Sequence, residues 1–183
     1  MFKDTAAGYG TISIVFHWGA AAAIIAIWLL GDRIDAVPAG AERSAAVGLH
    51  MAVAFLCFII LVPRLFWRFV NPRTPLAETN SALLDFVAKI VKWGLIIALT
   101  GLVVSGPIGV WTGRRGAIDV FGWAIASPLP TSLNGVLHAV AGPLHIICAK
   151  AILVLVALHV LGALKHLVYD RDGVFRRMLV PAK

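Results

Sequence analysis

From Gly135 to Leu164 the chain is apolar almost without a break, yet this run carries His138, His145 and His159. In helical form about thirty residues exceed the roughly 30 Å hydrocarbon core of a bilayer, so the segment crosses a membrane with tilt or overhang. Ionisable groups are costly at that depth and need a partner or a task. His145 and His159 are 14 residues apart, close to four turns, so both rings leave one face of the helix about 21 Å apart along its axis. One metal ion cannot bind both. Two cofactors stacked across the membrane, one per histidine, can.

The other residues fit a membrane chain. With 183 residues, 60% of them hydrophobic and 14% charged, the sequence is one domain by length and too apolar for an ordinary soluble fold. The net charge of +7 on so apolar a chain reads as topology-setting loop charge, which argues against nucleic acid as a partner. Cys57 and Cys148 lie in apolar runs without metal-ligand spacing and read as small buried hydrophobes. The first apolar run lacks a polar region with a cleavage site, so it is expected to be an uncleaved first span.

Four spans are expected, at about 12–31, 44–68, 82–111 and 135–168, within a single unit covering 1–183. The 31–40 and 71–75 stretches carry the Asp, Pro and Gly of loops, with Arg73 in the second. Gly106-Pro107 is expected to kink or end the third span. Residues 112–131, with Arg114, Arg115 and Phe121-Gly122-Trp123, read as a loop. Lys3, Arg64, Arg68, Arg73, Lys89, Lys92, Lys165, Arg171, Arg176, Arg177 and Lys183 fall on the side of the termini, and only Arg33, Arg43, Arg114 and Arg115 on the other. That asymmetry puts both termini in the cytoplasm. The expected fold class is therefore all-α, an integral membrane four-helix bundle.

Topology assigns each histidine a depth. His17 begins the outward first span and His159 lies late in the inward fourth, so both belong near the cytoplasmic side. His50 begins the inward second span and His145 lies early in the fourth, so these share the opposite depth. Two imidazoles facing each other between helices supply the axial nitrogens of a six-coordinate haem iron. Small residues at 19–23, 45–48 and 139–142 would let helices approach closely around a flat macrocycle. No CxxCH occurs, so the haem would be non-covalent b-type. The rival readings are interhelical hydrogen bonding, which suits a lone histidine better than four at matched depths, and zinc, whose short ligand spacing is missing.

Arg64 follows His50 by 14 residues, which projects it near the inner pair; a haem propionate contact and a snorkelling topology marker both fit. Arg68 reads as such a marker. His138, near the outer surface, reads as a loop-facing or capping residue. Lys150 lies mid-span and points about 140° away from His145; a partner subunit, a quinone and an acidic lipid each fit it.

The elements Ser13 to Trp18 with His17, Gly48 to His50 followed by Arg64 and Arg68, Phe121-Gly122, and the series His145, His159 and His166 resemble the bacterial cytochrome b561 family over nearly the whole chain. The resemblance extends to cytochrome b subunits of formate dehydrogenases and membrane-bound hydrogenases. It implies an inner-membrane protein with two haem b groups ligated by His17, His50, His145 and His159, and it places His166 near a quinone end. One branch of the family oxidises superoxide and reduces ubiquinone, so the implied activity is that of a superoxide:ubiquinone oxidoreductase. The alternative is an electron conduit for a periplasmic dehydrogenase or c-type cytochrome partner. A haemless helical scaffold is the third class. Relatives often carry a histidine early in the third helix, where this chain has Val87, Ala88 and Lys89, so a third-helix role in proton or quinone handling is not carried over.

Overall fold

The computed structural model describes residues 1–5, 8–71 and 81–182. Four long helices dominate it: α1 (Thr11–Ala36), α2 (Ala41–Val70), α3 (Ala82–Trp111) and α4 (Asn134–Leu164). All four are long and apolar enough to cross a membrane. Their outer surfaces carry large exposed hydrophobics such as Ile59, at 81% exposure, and Ile97, at 66%. So much exposed apolar surface suits a lipid surround rather than water. The turn expected at 72–75, with Arg73, lies outside the described residues.

The helices overrun their apolar cores. α1 continues past Gly31 through Asp32, Arg33 and Asp35, because helical hydrogen bonding costs nothing once the chain has reached the polar headgroup layer. Of the kink or end expected at Gly106-Pro107, the end does not occur: α3 runs on to Trp111, and Pro63 and Pro143 likewise sit inside α2 and α4. A proline forfeits one backbone hydrogen bond, whereas ending a helix at membrane depth would strand several polar groups in hydrocarbon. Continuing is the smaller loss.

Packing divides the bundle into two layers. α1 lies along α2 and α3 along α4, while α2 and α3 meet only sparsely. Glycines let α3 and α4 approach: a Cβ at Gly101 would strike the Cys148 thiol, and one at Gly94 would sit 3.0 Å from Leu155. The layers are joined by a core of Ala20, Ala23, Leu61, Ala98, Leu99 and Ile152, drawn from all four helices.

The 112–131 stretch is not the plain loop expected from sequence, and the fold is not purely helical. It contains an antiparallel hairpin of β1 (Ala117–Val120) and β2 (Trp123–Ala126), with Val120 opposite Trp123. The two-residue connection is Phe121 at φ 52° and Gly122 at φ 94°, the doubly positive geometry whose twist matches a hairpin. The Asp119 carboxylate accepts from the Gly122 amide at 3.0 Å. Ile118 is buried, Trp111 donates its indole N–H to the Ile125 carbonyl at 3.1 Å, and Arg115 reaches the Ser44 carbonyl at 3.0 Å. These contacts seat the hairpin over the ends of α2 and α3.

The termini meet at the opposite end of the bundle. The Met1 ammonium donates to the Ala182 carbonyl at 3.0 Å, Ala182 N–H to Tyr9 at 2.9 Å, and the Trp18 indole to Met178 at 2.8 Å. The tail between them leaves α4 through one wider π-helical turn, Lys165–Asp170, where a regular helix to 168 was expected.

Candidate haem sites

Three helices each present a seven-residue series to the seam between the layers. α4 offers His145, Ile152 and His159; α2 offers His50, Cys57 and Arg64; α1 offers His17, Ile24 and Gly31. Seven residues advance a helix by 700°, nearly two full turns, so each series keeps to one face. The result is two levels with an apolar layer between them, in which Ile152 is 2% exposed. At the termini end the rings of His17 and His159 stand 5.9 Å apart, tilted by 59°. At the hairpin end His50 and His145 stand 6.3 Å apart and perpendicular. The two pairs assigned from depth are therefore the pairs that meet in space.

Those separations suit a shared metal. A ring centre lies about 1.1 Å behind its ligating nitrogen and a metal–imidazole bond is about 2 Å, so two rings on one ion stand about 6 Å centre to centre. Direct ring stacking or a hydrogen bond would need less.

Hydrogen bonds decide which nitrogen is available at the hairpin end. His50 Nδ1 is 3.1 Å from the Ile27 carbonyl, which can only accept, so Nδ1 carries the proton and Nε2 keeps its lone pair. Ser105, 1% exposed, gives its hydroxyl proton to the Gly101 carbonyl at 2.5 Å and so accepts from His145 Nδ1 at 3.2 Å. That relay leaves His145 the same tautomer. Glycines flank both rings, since a Cβ at Gly31 would lie 3.4 Å from His50 and one at Gly106 3.3 Å from His145. Two neutral imidazoles, each with a fixed Nδ1–H and a free Nε2, are the donor set of a bis-histidine haem.

The family model described as prokaryotic cytochrome b561 matches residues 8–181. This chain belongs to the prokaryotic cytochrome b561 family. It is 30% identical over 179 residues to cytochrome b561 homolog 2 of Escherichia coli (strain K12), covering 97% of this chain and 94% of that protein. It is 28% identical over 180 residues to cytochrome b562 of Cereibacter sphaeroides, covering 95% and 96%. It is accordingly a multi-pass bacterial membrane cytochrome with b-type haem, engaged in electron transfer.

In this cytochrome Arg64 is half-buried, within electrostatic reach of both His17 and His159, and makes no ion pair among the described residues. Lys92 adds a second positive charge near His159. Tyr9 lies close to Asp4, Arg64, Arg68 and Arg177; burial first, and then Asp4, push its phenol above the usual range, so it stays a neutral hydroxyl.

His166 stands apart from both pairs, in the π-helical turn. Its Nδ1 is 2.6 Å from an Asp172 oxygen and 3.3 Å from Asp170, whose carboxylate also takes the Lys165 ammonium. Desolvation pushes the Asp172 carboxyl up, but the Val174 amide and the His166 ring outweigh it and hold it below the usual range. His138 is exposed and its Nδ1 lies 3.2 Å from the Gly109 carbonyl at the end of α3, which gives it the capping place expected for it. The Ser105 relay and Gly31 escaped the sequence reading. Gly31 had a signal, because it follows His17 by the same 14 residues that separate His50 from Arg64; Ser105 had none.

Proposed function

We propose that this cytochrome holds two b haems, one between His17 and His159 and one between His50 and His145, and passes electrons across the inner membrane to ubiquinone. The observation that carries this reading is the pair of ring separations, 5.9 and 6.3 Å, at two levels of one bundle. When bound, the haems supply reversible one-electron redox chemistry. The chain's own residues do the rest. His50 and His145 are held in the ligating tautomer by Ile27 and Ser105. Ile152, Leu99 and Ala20 keep water out of the space between the levels. Arg64 supplies the positive charge that a propionate needs at the termini end. His166 holds a proton at Nδ1 against Asp172, beside the level where a quinone would be protonated. With both termini cytoplasmic, that level faces the cytoplasm.

For the donor we propose superoxide at the outer level, on the family's branch that oxidises it. The conduit reading has one observation in its favour: the hairpin tip projects Phe121, 64% exposed, and Trp123, 81% exposed, a surface a periplasmic redox partner can use. Enzymatically generated superoxide, added to the purified protein in nanodiscs containing ubiquinone, separates the two. Rapid haem reduction with quinol formation supports the oxidase; reduction no faster than in the absence of superoxide assigns the protein to the conduit class.

A further inference from the structure

α4 turns its histidines into the seam and a second stripe outward. Val140, Ile147, Val154 and Leu161 recur every seven residues, with Lys150 and Ala157 between them in the spacing of a coiled-coil seam, and all are exposed. Lys150 is turned about 140° from His145 and 180° from His159, so it faces directly away from the haem levels. It lies 16 residues from Asn134 and 14 from Leu164, or more than about 20 Å from either helix end. A lysine side chain reaches about 6 Å and cannot snorkel from mid-depth to either interface.

A lipid-facing ammonium at mid-membrane is costly without an acceptor, and Lys150 has none among the described residues. A second copy of the chain offers no carboxylate at that depth. None of the acidic side chains among the described residues falls in the central turns of a span, and a symmetric pairing of two such stripes would bring two lysines to one depth. We infer that this face of α4 receives a transmembrane helix from a different protein, one that carries an Asp or Glu at mid-depth opposite Lys150. The β-branched Val140, Ile147 and Val154 would pack the seam, and the single charge pair would set its register. The inference stands apart from haem ligation and does not rest on it.

The test uses the full haem-loaded chain in phosphatidylcholine liposomes, with a fluorescent donor at its C-terminus. The probes are acceptor-labelled Leu/Ala helices of about 23 residues with Glu, Gln or Leu at the centre. Energy transfer should show the Glu helix associating about tenfold more tightly than the Leu helix. That ratio should fall to near one with Lys150→Met and persist with Lys150→Arg, while the Soret band is unchanged. A ratio near one in the unmodified chain, or one that survives Lys150→Met, overturns the inference. Transfer between differently labelled copies that excess Glu helix cannot displace would give the face to a second copy and also overturn it. Should Lys150→Met lose its Soret band, Val154→Trp serves instead: it blocks the stripe without touching the charge, and retained Glu-helix association would refute the site.

Discussion

Ser105→Ala tests whether the hairpin-end pair is held as a haem ligand set. In the native chain Ser105 accepts from His145 Nδ1 at 3.2 Å while its own proton goes to Gly101 at 2.5 Å. The substitution removes the hydroxyl acceptor, leaving His145 only the Leu102 carbonyl, and it leaves Gly101 its helical partner. Losing one of two acceptors costs a buried N–H about 1 kcal/mol, and loss of an outer-shell partner typically weakens metal binding by about tenfold or more. We therefore expect the haem at His50 and His145 to leave for an excess apoprotein acceptor about tenfold faster. A less electron-rich imidazole also favours the ferrous state, so that haem's midpoint should rise by tens of millivolts, given that tenfold is about 59 mV for one electron. The assay is a redox titration resolving the two α-bands, beside the rate of haem transfer. A shift shared equally by both haems, or no shift at normal haem content, would refute the reasoning.

Three further outcomes follow from the same geometry. His17→Ala should remove the haem at the termini end and His145→Ala the one at the hairpin end, each leaving about one haem per chain by pyridine haemochrome; variants that retain both contradict the pairing. Arg64→Leu removes a positive charge near His17 and His159, which should lower the midpoint of that haem by tens of millivolts and leave the other unmoved, with Arg64→Lys restoring part of the loss. The Asp172 carboxyl, held below its usual value of 3.8, stabilises the docked tail above that pH, and the contribution disappears as pH falls through its lower folded value. Limited proteolysis of the tail should therefore accelerate only below about pH 4, and Asp172→Asn should abolish that step; cleavage unaffected by either refutes the clasp.

Much of this architecture is legible in the residues because hydrocarbon imposes a length and a polarity on anything that crosses it. The four spans follow from that, and alternating helix direction is enough to put His17 level with His159 and His50 level with His145. Helix ends are less legible: Asp32, Arg33 and Asp35 read as loop, yet a helix entering the headgroup layer can carry charges to its last turn. Pro107 reads as a kink or a terminator by the standards of water, where freed backbone groups are solvated, whereas in lipid ending the helix is the costlier choice. The hairpin was missed because Ala117–Val120 and Trp123–Ala126 are four residues each and Phe121-Gly122 lacks the Asn-Gly or Asp-Gly turn signature. Ser105 shows how local sequence fails altogether: its importance lies in His145, forty residues away, and only packing brings the two together.

The most direct measurement is the number of b haems bound per chain, by pyridine haemochrome against quantitative amino-acid analysis of the purified protein. Two per chain, with bis-histidine low-spin spectra for both, is the result that the ring pairs at 5.9 and 6.3 Å predict. One haem, or none in protein from haem-sufficient cells, contradicts it.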